Sequence, residues 1–247
     1  MKPSIFLAGA AAVVAIAGCN SKPGDAKSNV EAPVKWEQVA PPKGGDWTMV
    51  VNATPAGGFM MGNPNAKVKL VEYGSLTCPH CREFDEQGMP ALIDNYIKKG
   101  LVSLEFRNFV RDQFDMAASL VARCGGPDRF FPLTRALYAD QSVWIQKAID
   151  QPEKQQALQS LPPNRIFVEA ANLAELPQWA AQRGLPSAQA NACLANETEV
   201  TKLVQMQSDA VSNFNVPGTP AFVINGKLVE NSANWPSLEP EIKKALR

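Results

Sequence analysis

The stretch LVEYGSLTCPHCREF at positions 70–84 limits what this chain can become more than any other. An apolar run rich in strand-forming residues ends at Gly74, and Cys78 and Cys81 follow with Pro79 and the chain's one histidine, His80, between them. Proline is well tolerated at the first position of a helix, where its missing N–H costs nothing. That reading puts Cys78 at a helix N-terminus and Cys81 one turn further on the same face. The Cα separation then falls near the window of about 4.4–6.8 Å that a disulfide tolerates, so the pair can close and open with little backbone movement. Thiolates, not thiols, attack disulfides, and the unpaired N–H groups and positive dipole end of a helix favour the thiolate at Cys78. His80 adds to this by a hydrogen bond or, when protonated, by its charge. A stabilised thiolate makes the reduced form more stable and the disulfide a stronger oxidant. Cys81, deeper in the helix, is placed to attack a mixed disulfide and release the bound partner.

Two other readings of the pair stand beside the redox couple. Zinc needs about four Cys, His or carboxylate ligands, and only Cys124, Cys193 and His80 supplement the pair, with no second C-x-x-C nearby, so no metal and no cofactor is expected. A static structural disulfide is the other, because exported domains use them freely.

Export is itself legible. The segment MKPSIFLAGAAAVVAIAGCN carries Lys2, an apolar stretch from Ile5 to Ala17 and small residues near Gly18. It is too short for the roughly 20 residues of a membrane-spanning helix and reads as a signal peptide over 1–18. IAGC at 16–19 resembles the lipobox of bacterial lipoproteins, which implies lipidation of Cys19 and a lipid anchor; cleavage after Ala17 is the alternative, leaving a soluble periplasmic protein. Lipidation also resolves the odd count of five cysteines, leaving Cys78 with Cys81 and Cys124 with Cys193 in an oxidising compartment. Residues 19–46 are rich in Pro, Gly, Lys and Ser and read as a flexible tether. The balance of 24 basic against 24 acidic residues gives no global field toward nucleic acid.

Along the remainder, 46–51 and 66–74 read as strands, a helix is expected from about Pro79 to Lys99 with a kink at Gly88 and Pro90, and 101–109 reads as the next strand. A strand, helix, strand unit implies parallel pairing. Residues 113–212 carry helical patterns alone. Strand character returns at 220–224 and 227–230 around Asn225-Gly226, a strong hairpin cue, before a last helix near 237–246. The expected division is 47–112 and 213–247 as two parts of one α/β domain, with 113–212 as an all-helical insertion.

CPHC after VEYGSLT, GTPAF at 218–222, and a helical block between two α/β halves together resemble the DsbA-like thiol:disulfide interchange proteins over roughly residues 57–247. The resemblance implies an α/β thioredoxin fold with an inserted helical domain, and an extracytoplasmic oxidoreductase that exchanges disulfides with protein thiols. It implies that Cys78 is the nucleophile, Cys81 the resolving thiol and His80 the tuner. It further implies a cis-proline at Thr219-Pro220 facing the couple, where the Thr219 backbone pairs with an extended substrate. Glu72, six residues before Cys78, matches the buried acid of the family and would accept a proton from Cys81; a solvated glutamate on an alternating strand is the plain alternative. DsbA is better known with valine before the proline, and threonine occurs in isomerase-like relatives, so both oxidase and isomerase stay open, as does a non-catalytic chaperone or adaptor. An oxidase would require a membrane redox partner to reoxidise the couple. Cys124 and Cys193, both in helical segments, are expected to form a structural disulfide, with two buried free thiols as the alternative.

Overall fold

A computed structural model describes residues 36–42 and 45–247. The expected signal peptide, Cys19 and most of the tether lie outside the described residues. Residues 36–42, assigned to the tether from composition, are docked: the Trp36 ring lies 6.2 Å from that of Tyr96, and the Val39 N–H donates to the Lys99 carbonyl at 3.0 Å. A tryptophan and a valine in a polar stretch give this segment something to bury.

Six strands form one sheet: β1 (Val51–Ala53), β2 (Phe59–Gly62), β3 (Val68–Gly74), β4 (Val102–Asn108), β5 (Ala221–Ile224) and β6 (Lys227–Leu228), in the order β1-β2-β4-β3-β5-β6. β3 and β4 are parallel, as the helical crossover requires, and β5 runs antiparallel to β3. β3 thus lies inside the sheet. Val68, Leu70 and Glu72 alternate onto one buried face, and Lys69 points to solvent.

The segment 46–51 is mostly not a strand. Asp46 caps a 3-10 turn over Trp47–Met49 by accepting from the Thr48 N–H at 2.9 Å, and extended pairing starts only at Val51. β2, four residues that follow Gly58 and end in Gly62, carries no sustained alternation and was not expected from the sequence. The hairpin does form at Asn225-Gly226, both with positive φ (49° and 83°), the geometry for which Asn-Gly is suited.

The single kinked helix expected over 79–99 is three pieces. Helix α1 (Pro79–Gln87) stops at Gly88, α2 (Met89–Leu92) follows, and a π-helical turn covers Ile93–Ile97, closed by the Lys98 N–H to the Ile93 carbonyl at 2.9 Å. Pro90 falls in the first turn of α2, where no backbone donor is needed, so glycine makes the break and proline starts the next piece. Phe84 of α1 packs on Phe222 of β5 with ring centroids 4.7 Å apart, which ties the helix carrying both cysteines to the strand leaving Pro220.

Eight helices follow β4: α3 (Gln113–Cys124), α4 (Pro127–Ala139), α5 (Gln141–Ile149), α6 (Pro152–Leu158), α7 (Pro163–Leu173), α8 (Leu176–Gln182), α9 (Ser187–Leu194) and α10 (Glu197–Phe214). A last helix, α11 (Trp235–Leu246), closes the described chain. The block shares its core with the sheet: Phe130 of α4 stacks on Phe59 of β2 at 4.2 Å and meets Phe106 of β4 at 5.6 Å. At Gly74 the approach is so close that an added Cβ would sit 2.5 Å from the Phe106 ring and 3.1 Å from the Tyr138 hydroxyl. Cys124 and Cys193 are bridged, joining the ends of α3 and α9 across 69 residues. Among the described residues, no helix is long and apolar enough to cross a membrane.

Candidate active site

Cys78 is the N-cap of α1, in extended backbone, and Pro79 takes the first helical position. Both cysteines are buried free thiols. The register β3 to β5, with Glu72 opposite Phe222 and Tyr73 opposite Ala221, carries Pro220 to the end of β3 from which the cysteine loop departs. The Thr219-Pro220 bond is cis, and the Cys78 thiol donates to the Thr219 carbonyl at 3.2 Å. Two segments about 140 residues apart in sequence thereby share one sulfur.

The two thiols are held very differently. Cys78 is lowered from 9.0 to about 5, first by the hydrogen bond from the Cys81 side chain, against an opposing cost of burial. The Thr219 side chain and the backbone N–H groups of Cys81 and His80 lower it further. Cys81 is pushed well above 9.0, first by burial; the hydrogen bond with Cys78 and the Glu72 charge act in the same direction, and a backbone hydrogen bond from Ser75 opposes them. That N–H lies 3.5 Å from the Cys81 sulfur. One sulfur is therefore poised as a thiolate and the other as a thiol.

His80 enters this by its backbone. Its imidazole is 71% exposed and faces Glu83, with Nδ1 3.6 Å from Oε2. Its peptide N–H, which any residue but proline would supply, is among the groups that lower Cys78.

Glu72 is buried (1% exposed), with Oε2 lacking a hydrogen-bond partner. Burial, then the charges of Asp85 and Cys78, raise it well above 4.5. The solvated alternative is thereby removed: this carboxyl lies buried beneath the couple, where burial favours its neutral form.

Sequence reasoning missed the grip of the helical block on residues 75–78. Gln141 Nε2 donates to the carbonyls of Leu76 at 2.8 Å and Cys78 at 3.0 Å, and the Tyr138 hydroxyl donates to the Ser75 carbonyl at 3.3 Å. Asp115 accepts from the Leu76 N–H at 2.8 Å, the Ser75 hydroxyl at 2.5 Å and the Arg111 N–H at 3.0 Å. Burial lifts this carboxyl to about 7. No motif announces these contacts, since each partner is 39 to 65 residues from the loop it holds. Beside Pro220 a cleft of about 510 Å³ opens, lined in part by Pro217, Leu228, Val229 and Ala233. Among the described residues no cluster of side chains is arranged to hold a metal ion.

A helix-capping dithiol, a cis-proline against its outer sulfur and a buried acid beneath it meet at the end of the central strand. The sequence profile of the thioredoxin family matches residues 54–244. The chain belongs to the thioredoxin family. Its thioredoxin fold carries the helical insertion of DsbA-like members. Among solved structures it is similar to a protein-disulfide isomerase of Novosphingobium aromaticivorans, 34% identical, with a TM-score of 0.72 over 76% of this chain and 96% of that one. Wolbachia pipientis alpha-DsbA1 shares the fold at 22% identity, with a TM-score of 0.61 over 76% of this chain and 89% of that one. A Rickettsia prowazekii protein provisionally named a protein-disulfide oxidoreductase is 25% identical over 174 residues, covering 70% of this chain and 56% of the relative. This thioredoxin-family chain spans 56 to 64% of the length of that protein and two further rickettsial relatives.

Proposed function

We propose that this protein is an extracytoplasmic thiol:disulfide oxidoreductase whose Cys78–Cys81 couple oxidises the thiols of other proteins. The observation that carries the reading is the low Cys78 thiol, at about 5, beside a Cys81 thiol pushed the other way. In the oxidised enzyme a substrate thiolate attacks the Cys78 sulfur. The Cys78–Cys81 bond breaks, a mixed disulfide forms at Cys78, and Cys81 departs as a thiolate. Buried and shifted upward, that thiolate takes a proton, and Glu72 is the acid at hand. A second substrate thiolate attacks the substrate sulfur of the mixed disulfide and expels Cys78, a good leaving group because it is stable as an anion at neutral pH. Two electrons pass from the substrate to the couple. A membrane redox partner would remove them, restoring the disulfide.

Substrate binding follows from the same loop. The backbone at Thr219 offers pairing to an extended peptide, and the cleft beside Pro220 offers apolar contact, which together give affinity with little sequence preference. Export rests on the leader, and membrane attachment on lipidation of Cys19.

A second reading, isomerase or reductase, is favoured by Thr219 before the proline and by the name of the Novosphingobium relative. Two measurements on the full chain decide. Cys81→Ala should accumulate mixed disulfides with client proteins through Cys78; a non-catalytic adaptor would trap none. Equilibration with glutathione buffers should give an oxidising potential near that of the handful of strong oxidases, about −120 mV, and a value near −270 mV would assign reduction instead.

A further inference from the structure

Ser75 has every polar group engaged, and its partners divide between the couple and the helical block. Its N–H faces the Cys81 sulfur at 3.5 Å, and its carbonyl accepts from the Cys78 N–H at 3.1 Å. On the other side, its hydroxyl donates to Asp115 at 2.5 Å, and its carbonyl also receives the Tyr138 hydroxyl at 3.3 Å. Asp115 holds the adjacent Leu76 N–H as well, at 2.8 Å, so one carboxylate from the start of α3 grips two consecutive residues of the loop. Asp115 is fully buried, and Cys81 shows no solvent exposure either, so no water shell stands ready to receive charge on that sulfur.

We propose that Asp115 is a positioning residue for the resolving step: acting through Ser75, it fixes the backbone N–H that stabilises negative charge on the Cys81 sulfur. The inference rests on the oxidoreductase reading above. Whenever Cys81 attacks or leaves, its sulfur carries that charge inside the protein, where a fixed donor is worth far more than one that must first be oriented. The attack of Cys78 needs no such help. Its own donors are the side chains of Cys81 and Thr219 and the backbone N–H groups of Cys81 and His80, none of which Asp115 touches.

The two steps can be timed separately with oxidised glutathione and the reduced full-length protein. In the first, the Cys78 thiolate attacks glutathione disulfide, forming the enzyme–glutathione mixed disulfide and releasing one glutathione thiolate. In the second, Cys81 loses its proton and attacks the Cys78 sulfur; the Cys78–Cys81 bond forms and the second glutathione leaves, taking up the proton. Asp115→Asn replaces an acceptor of three donors with an amide that must turn an N–H toward at least one of them. The first step should stay within about twofold of wild type and the second slow by about tenfold, the equivalent of one charge-assisted hydrogen bond. Ser75→Ala removes only the hydroxyl link and leaves the other bonds of the loop in place, so it should slow the same step by about threefold. Mass spectrometry of acid-quenched samples reads the mixed disulfide directly. Equal slowing of both steps in Ser75→Ala, or slowing of neither, overturns the inference, and that variant decides if Asp115→Asn does not fold. Failure of the underlying reading looks different: wild type would then form no mixed disulfide at all.

Discussion

Thr219→Val probes the electrostatics of the couple with a near-isosteric change. At pH 7 a thiol lowered from 9.0 to about 5 lies two decades on the thiolate side of its midpoint, whereas one titrating normally is almost wholly protonated. The reduced protein gains at most about 2.7 kcal/mol from this, or about 60 mV of oxidising power. Removing the threonine hydroxyl deletes one hydrogen bond to a charged acceptor, about 1.5 kcal/mol, which should lift the Cys78 midpoint by about one unit. The couple should become more reducing by about 30 mV at pH 7. The sign with pH follows from the direction of the shift. A lowered thiol stabilises the reduced protein fully above 9.0, and that contribution is lost as pH falls through about 5. The disulfide form does not titrate there, so the stability of the reduced protein relative to the oxidised one should rise across this window, less steeply in the variant. Thiolate absorbance against pH gives the midpoint, and equilibration with glutathione gives the potential. Identical curves for the two proteins would refute the part assigned to the hydroxyl. A wild-type midpoint near 9 would refute the whole account.

Glu72→Gln removes a buried carboxyl whose folded value is raised, so the native state of the wild type is penalised as pH climbs above 4.5. The variant should equal the wild type near pH 4 and exceed it at pH 8, by about 1–3 kcal/mol in denaturant titrations, while reducing Cys81 more slowly for want of a proton to give; a wild type more stable at both pH values would contradict this. Replacing Cys124 and Cys193 together by serine opens a loop of 69 residues. In the chain-entropy view this costs about 4 kcal/mol, and thermal unfolding should show the loss while the potential of the active couple stays put. A shifted potential would mean that the bridge reaches the active loop.

The sequence by itself determined the local chemistry. Cys78 as helix cap, Pro79 at the first helical position, the strand before them and the Asn225-Gly226 turn all depend on neighbours within a few residues, and local rules suffice for those. The parallel crossover was legible for the same reason. The short strand β2, the turn at Trp47–Met49 and the π-helical turn at Ile93–Ile97 were not, because short elements are decided by what they pack against. Tertiary structure alone decided that Glu72 lies buried and lacks a partner on one oxygen, since alternation along β3 is compatible with either face until the opposing layer is known. It also decided that the His80 ring faces Glu83 and that Asp115, Tyr138 and Gln141 hold the cysteine loop. Those bonds link residues far apart in the chain, and their geometry is set by how the helical block seats on the sheet, which no spacing in the sequence encodes.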